Sequence, residues 1–146
     1  MASIEYLVVA NHAEVHNGHL FISGAGWTDL IRGLRPDGPP SITHMGIALS
    51  IIVPFTETGR RHHFTIRIER EDGPEITRVE GDLEMGRPVG LPAGADQRAV
   101  LAVNADITFP EPGGYRVVAF LGDGDHPKTS SFRVHDQPMQ AQLAAG

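Results

Sequence analysis

Polar and apolar residues alternate along most of this chain, and a period of two marks half-buried β-strands. In "HHFTIRIERE", Phe64, Ile66 and Ile68 share one face, while His63, Thr65, Arg67 and Glu69 share the other. In "RAVLAVNADITF", Ala99, Leu101, Val103, Ala105, Ile107 and Phe109 have one parity, with Arg98, Asn104 and Asp106 on the other. "TRVEGDLEM" repeats the scheme, with Val79, Leu83 and Met85 set against Arg78, Glu80 and Glu84. The apolar runs "GIALSIIVPF" and "YRVVAFL" read instead as strands covered on both faces. Turn pairs at Asn17–Gly18, Thr58–Gly59, Asp72–Gly73 and Gly113–Gly114 separate these runs. No segment carries a helical stripe over three turns, and "DLIRGL" allows one short helical turn at most.

The pattern predicts about eight strands, near residues 4–16, 19–27, 46–54, 62–71, 75–85, 97–109, 114–122 and 130–134. Short strands at hairpin spacing point to an all-β fold, an antiparallel Greek-key β-sandwich of immunoglobulin-like or C2-like type. One domain, residues 1–134, is expected, followed by a loosely held tail at 135–146. In "FPEPGGYRVVAF", Tyr115 follows a Pro-Gly-Gly turn and opens an apolar strand. That is the arrangement of a tyrosine corner, whose hydroxyl bonds to backbone a few residues upstream. Two long irregular stretches remain, Asp29 to His44 and Gly86 to Asp96. Unstructured loops beyond about 12–15 residues are commonly functional or mobile; the first stretch qualifies and the second falls just short.

Composition narrows the chemistry. The 146 residues contain no cysteine, which excludes disulfides, thiolate metal sites and cysteine nucleophiles. A cysteine-free chain suits a reducing cytoplasm. The opening "MASIEYLVVANHAEV" lacks a basic segment and is interrupted by Glu5, unlike a signal peptide. No apolar run approaches the ~20 residues of a membrane span. The net charge of −6 argues against nucleic acid and anionic membranes as partners. The expectation is a soluble, cytoplasmic protein.

The densest chemistry lies in "HAEVHNGH", His12 to His19. Asn17–Gly18 favours a type I′ turn, because both positions must take positive φ. That turn sets His16 opposite His19, Val15 opposite Leu20, Glu14 opposite Phe21, Ala13 opposite Ile22 and His12 opposite Ser23. Val15, Leu20, Ala13 and Ile22 then form the expected core face, and His12, Glu14, His16, His19, Phe21 and Ser23 the outer one. Glu14, His16 and His19 are close enough to meet zinc or a similar divalent ion through bonds of about 2.0–2.2 Å. His12, roughly 13 Å along the strand from His16, falls outside that trio. The segment is H-x-E-x-H, not the H-E-x-x-H of zinc proteases, and an open ribbon supplies no second shell. A polar face, solvated or covered by another subunit, is the competing reading.

Other motifs carry less. "RRHHF" at 60–64 reads as a solvated turn that protects an edge. "GDGDHP" at 122–127 reads as a tight turn, since a calcium loop needs further oxygen ligands. Neither a nucleophile elbow nor a phosphate loop is present. Gly24 and Gly26 have no following helix and are expected to form a bulge or close approach beside Trp27. By the hairpin register Trp27 falls opposite Val8 on the histidine face, which implies a cover there.

"ANHAEVHNGHLFISGAGWTDL", "VPFTETGRRHHFTIRIERED" and "GYRVVAFLGDG…SFRV" together resemble an uncharacterised family of small bacterial β proteins, a domain of unknown function. Its pattern is an Asn-Gly hairpin, a Gly-Gly-Trp-like element, Val-Pro-Phe/Trp and then His-x-Phe-x-Ile. The resemblance runs to about Val134 and implies a single β domain without a transferable activity. It also implies other residue types at positions 16 and 19 in many members, which weakens a shared metal role.

These readings converge on a non-catalytic binding or assembly module with no cofactor, taking a protein partner or a second copy in a homo-oligomer. Trp27, with Arg32, Arg35 and Arg87 on the long loops, are the candidate partner-binding residues. The alternative is a divalent-metal protein or small metal-dependent enzyme built on Glu14, His16 and His19.

Overall fold

The computed structural model describes residues 1–122 and 124–137. Among the described residues nine strands follow in chain order: β1 (Ser3–His16), β2 (His19–Ala25), β3 (Asp29–Arg32), β4 (Thr43–Val53), β5 (Arg61–Arg70), β6 (Glu75–Glu84), β7 (Gln97–Ile107), β8 (Gly113–Leu121) and β9 (Asp125–Asp136). One sheet has the order β2-β1-β4-β7 and the other the order β3-β9-β8-β5-β6. The fold is thus all-β in two sheets, and no α-helix occurs among the described residues. Among the described residues, no helix is long and apolar enough to cross a membrane.

The alternating positions form the core. Met45, Ile47, Leu49, Ile51 and Val53 project from β4 toward Phe64, Ile66 and Ile68 of β5 and Tyr115, Val117 and Ala119 of β8. Phe132 and Val134 of β9 complete the cluster. The run in β4 is buried on both faces, since Ala48 and Ser50 on its other side are also fully covered. At the entry to β8 the tyrosine corner is present: Tyr115 is fully buried, and its hydroxyl donates to the Glu111 carbonyl at 2.5 Å. Its ring packs edge-on against Phe109 at 4.9 Å.

Three expectations need correction. The Asp29–His44 stretch is not wholly a loop, because Asp29–Arg32 forms β3, pairing in parallel with Arg133–Asp136 of β9. The four-residue strand replaces the helical turn allowed for "DLIRGL", and its parallel pairing departs from a purely antiparallel sandwich. The last strand is also longer than expected, reaching Asp136. Of the expected tail, residues 138–146 lie outside the described residues, as does Asp123 of the expected "GDGDHP" turn.

Trp27 is the third correction. Gly24 and Gly26 take φ of 70° and 95°, so β2 ends at Ala25 and the chain leaves its sheet. The Trp27 ring therefore packs edge-on against Phe132 of the other sheet, with centroids 5.8 Å apart, and not over Val8. Gly24 also serves as the expected close approach, since a Cβ there would lie 2.5 Å from Asn11 Nδ2.

Candidate functional site: the first hairpin and the sheet beneath it

The register read from Asn17–Gly18 is the register observed. His16 pairs with His19, Val15 with Leu20, Glu14 with Phe21, Ala13 with Ile22 and His12 with Ser23. Asn17 and Gly18 have φ of 51° and 74°, as a type I′ turn requires.

The hairpin does not stay in the sheet, however. Pairing of β1 with β4 ends at Ala10 opposite Gly46, and beyond it β1 passes directly over β4. A Cβ on Gly46 would lie 2.6 Å from the Ala13 nitrogen and 2.7 Å from the His12 carbonyl carbon. Only glycine admits a crossing that close. The Asn104 carboxamide on β7 then takes the place of a neighbouring strand. Its Oδ1 accepts from the Ala13 N–H at 3.1 Å, and its Nδ2 donates to the Ala13 carbonyl at 2.8 Å. The hairpin becomes an arm held over β4 and close to β7.

This crossing changes what the arm exposes. Ala13 is buried, but Val15 and Ile22, expected in the core, are 40% and 38% exposed, and Phe21 on the other face is 56% exposed. From Glu14 to Gly26 every residue except Leu20 is exposed.

The crossing also rearranges the histidines. His12 Nε2 donates to Glu14 Oε1 at 3.0 Å, and His16 Nε2 lies 3.3 Å from Glu14 Oε2. The expected trio of Glu14, His16 and His19 is not assembled: Glu14 sits between His12 and His16, and no hydrogen bond or ion pair joins His19 to it among the described residues. The pleat that separates His12 from His16 is bridged by the carboxylate between them. The hydrogen bond from His12 holds the Glu14 carboxyl below its ordinary range.

His44 on β4, far from the hairpin in sequence, extends the chain of contacts. Its Nε2 lies 3.0 Å from His12 Nδ1, and its Nδ1 donates to Asp106 Oδ1 at 2.7 Å. The two ring centroids are 5.3 Å apart, which is the N···N distance plus two ring radii, so the rings meet end to end. The carboxylates of Glu14 and Asp106 only accept, so the outer ring nitrogens donate to them. Among the described residues no group of three or more histidine and carboxylate side chains has a metal-holding arrangement.

The three arginines on the expected loops sit apart from this surface. Arg32 is buried, with Nε donating to Asp136 Oδ1 at 2.5 Å and Nη1 to the Phe109 carbonyl at 2.8 Å. It fastens β3 to its neighbours. Arg87 lies over the Phe55 ring at 3.8 Å and donates to Thr58 Oγ1 at 2.9 Å. Arg35 is exposed in the segment between β3 and β4.

A two-sheet β domain with an appended hairpin arm defines the class of this protein. The chain belongs to DUF6941, a family of unknown function, whose pattern matches residues 5–135. That range runs from near the start of β1 almost to the end of β9. No curated protein matches the sequence.

Proposed function

We propose that this protein is a non-catalytic binding or assembly module on an immunoglobulin-like Greek-key sandwich. Strand order supports the fold reading. The series β1-β4-β7 and β9-β8-β5-β6 follow the A-B-E and G-F-C-C′ orders of a variable-type immunoglobulin domain. Tyr115 stands at the start of β8, where that fold carries its tyrosine corner. Three departures matter: among the described residues no strand occupies the D position beside β7, β2 is added outside β1, and β3 is added in parallel beside β9.

The observation that carries the functional reading is the arm. Val15, Ile22 and Phe21 stand exposed on both faces of the hairpin, in which every residue from Glu14 to Gly26 except Leu20 is exposed. Clustered exposed apolar side chains favour burial against a partner. The absence of cysteine supports a reducing compartment for the working protein.

Native mass spectrometry of the intact protein tests this. The reading expects species heavier than the 15.8 kDa chain, diminished by Val15→Ser with Ile22→Ser. A single-chain mass at every concentration, unchanged by those substitutions, counts against self-assembly.

A further inference from the structure

We propose that β7 is the edge through which two copies of this chain join, pairing antiparallel about a two-fold axis at Ala102. The inference rests on the assembly reading above and names its contact.

Four strands end the two sheets, and three of them are poor templates for pairing. β6 carries Glu75, Arg78, Glu80, Asp82 and Glu84 along its length. β3 has four residues. β2 has seven and is distorted at Gly24. Short, irregular or charged strands are the usual means by which β proteins keep sheet edges from pairing. β7 is neither short nor irregular, and its two charges, Arg98 and Asp106, stand toward its ends. It is 11 residues long, contains no proline, lysine or glycine, and holds five successive apolar residues from Ala99 to Val103. It pairs with β4 from Gln97 to Ile107 without a register shift, so its outer edge is regular. Among the described residues, no backbone hydrogen bond from outside the sheet reaches that edge.

Self-complementarity selects the occupant and the register. With the two-fold axis at Ala102, Arg98 of each copy lies opposite Asp106 of the other. Leu101 meets Val103, Ala99 meets Ala105, and Val100 meets Asn104. Moving the axis to Leu101 puts Arg98 opposite Asn104; moving it to Val103 puts Asp106 opposite Val100. Only the Ala102 register pairs the opposite charges, and symmetry does so twice.

Both charged groups have capacity left. Arg98 is 67% exposed and engages Glu5 through Nε and Nη2, leaving Nη1. Asp106 is 68% exposed and accepts from His44 through Oδ1, leaving Oδ2. Because Asn104 ties down the arm and lies opposite Val100 of the second copy, each apolar arm comes beside the other copy's β7.

Sedimentation velocity on the full chain tests the contact, using Arg98→Asp, Asp106→Arg, the double variant and Ala102→Lys. Each single reversal sets like charges opposite one another and weakens the dimer by about tenfold. The double variant re-forms both pairs with exchanged signs and restores wild-type association. Ala102→Lys, which touches neither Glu5 nor His44, places two ammonium groups together at the axis and also weakens it. Wild-type self-association that none of the four changes, or single losses that the double variant does not repair, overturns the β7 assignment while leaving assembly standing. A wild-type monomer at every concentration overturns both.

Discussion

Asn104 holds both backbone groups of Ala13, accepting from its N–H at 3.1 Å and donating to its carbonyl at 2.8 Å. One side chain on β7 thus supplies to β1 what an adjacent strand would otherwise supply. Replacing it with alanine removes both bonds, at a cost of about 1–2 kcal/mol. Urea denaturation measures that loss. Amide exchange in the arm rises in the same variant, because the arm loses its tie to the sheet.

Gly46 is the other half of the crossing. An added Cβ meets backbone at 2.6 Å, and backbone cannot rotate aside as a side-chain tip can. Gly46→Ala should therefore displace the arm and destabilise the protein by about 1–3 kcal/mol. Gly86→Ala is the matched control, since nothing lies within 4 Å of the added methyl group there. Thermal unfolding of the two variants, side by side, separates the steric effect from a general intolerance of alanine.

Tyr115→Phe deletes the corner hydrogen bond to Glu111 and keeps the ring against Phe109. The expected loss is about 1 kcal/mol, read from the midpoint of chemical denaturation with an unchanged slope.

His63 provides a pH dependence with a definite sign. Its ring donates to Asp82 at 3.0 Å and approaches Glu80 at 3.4 Å, and those bonds raise its pKa above the ordinary histidine value. A raised folded-state pKa stabilises the fold fully below the unfolded value, about 6.5, and that contribution is lost as pH rises through the folded value. The stability difference between wild type and His63→Gln should accordingly favour wild type at about pH 5.5 and shrink by about pH 8.5. Denaturation curves at the two pH values check this.

Local signals in the sequence read through to the structure, and long-range ones did not. The hairpin register was legible because Asn17–Gly18 fixes it within two residues. The Tyr115 corner was legible because its hydroxyl reaches only to Glu111. β3 was not, since its four residues show no period and its partner begins at Arg133. Arg32 looked like a loop cation because its acceptors, Asp136 and the Phe109 carbonyl, are remote in sequence. His44 was missed as a neighbour of His12 for the same reason. The crossing at Gly46 had no sequence signal beyond a glycine in an apolar run, and it decided the most. By lifting β1 off β4 it turned Val15 and Ile22 from expected core into exposed surface and brought His12 within reach of His44.

The central claim is that sheet β2-β1-β4-β7 is completed by a second copy at β7. Hydrogen exchange of the Ala99–Ala105 amides that point away from β4, followed by NMR at low and high protein concentration, tests it directly. The account predicts slow exchange that strengthens with concentration, while the outer amides of β2 stay fast at both. Fast, concentration-independent exchange along the outer edge of β7 would contradict it.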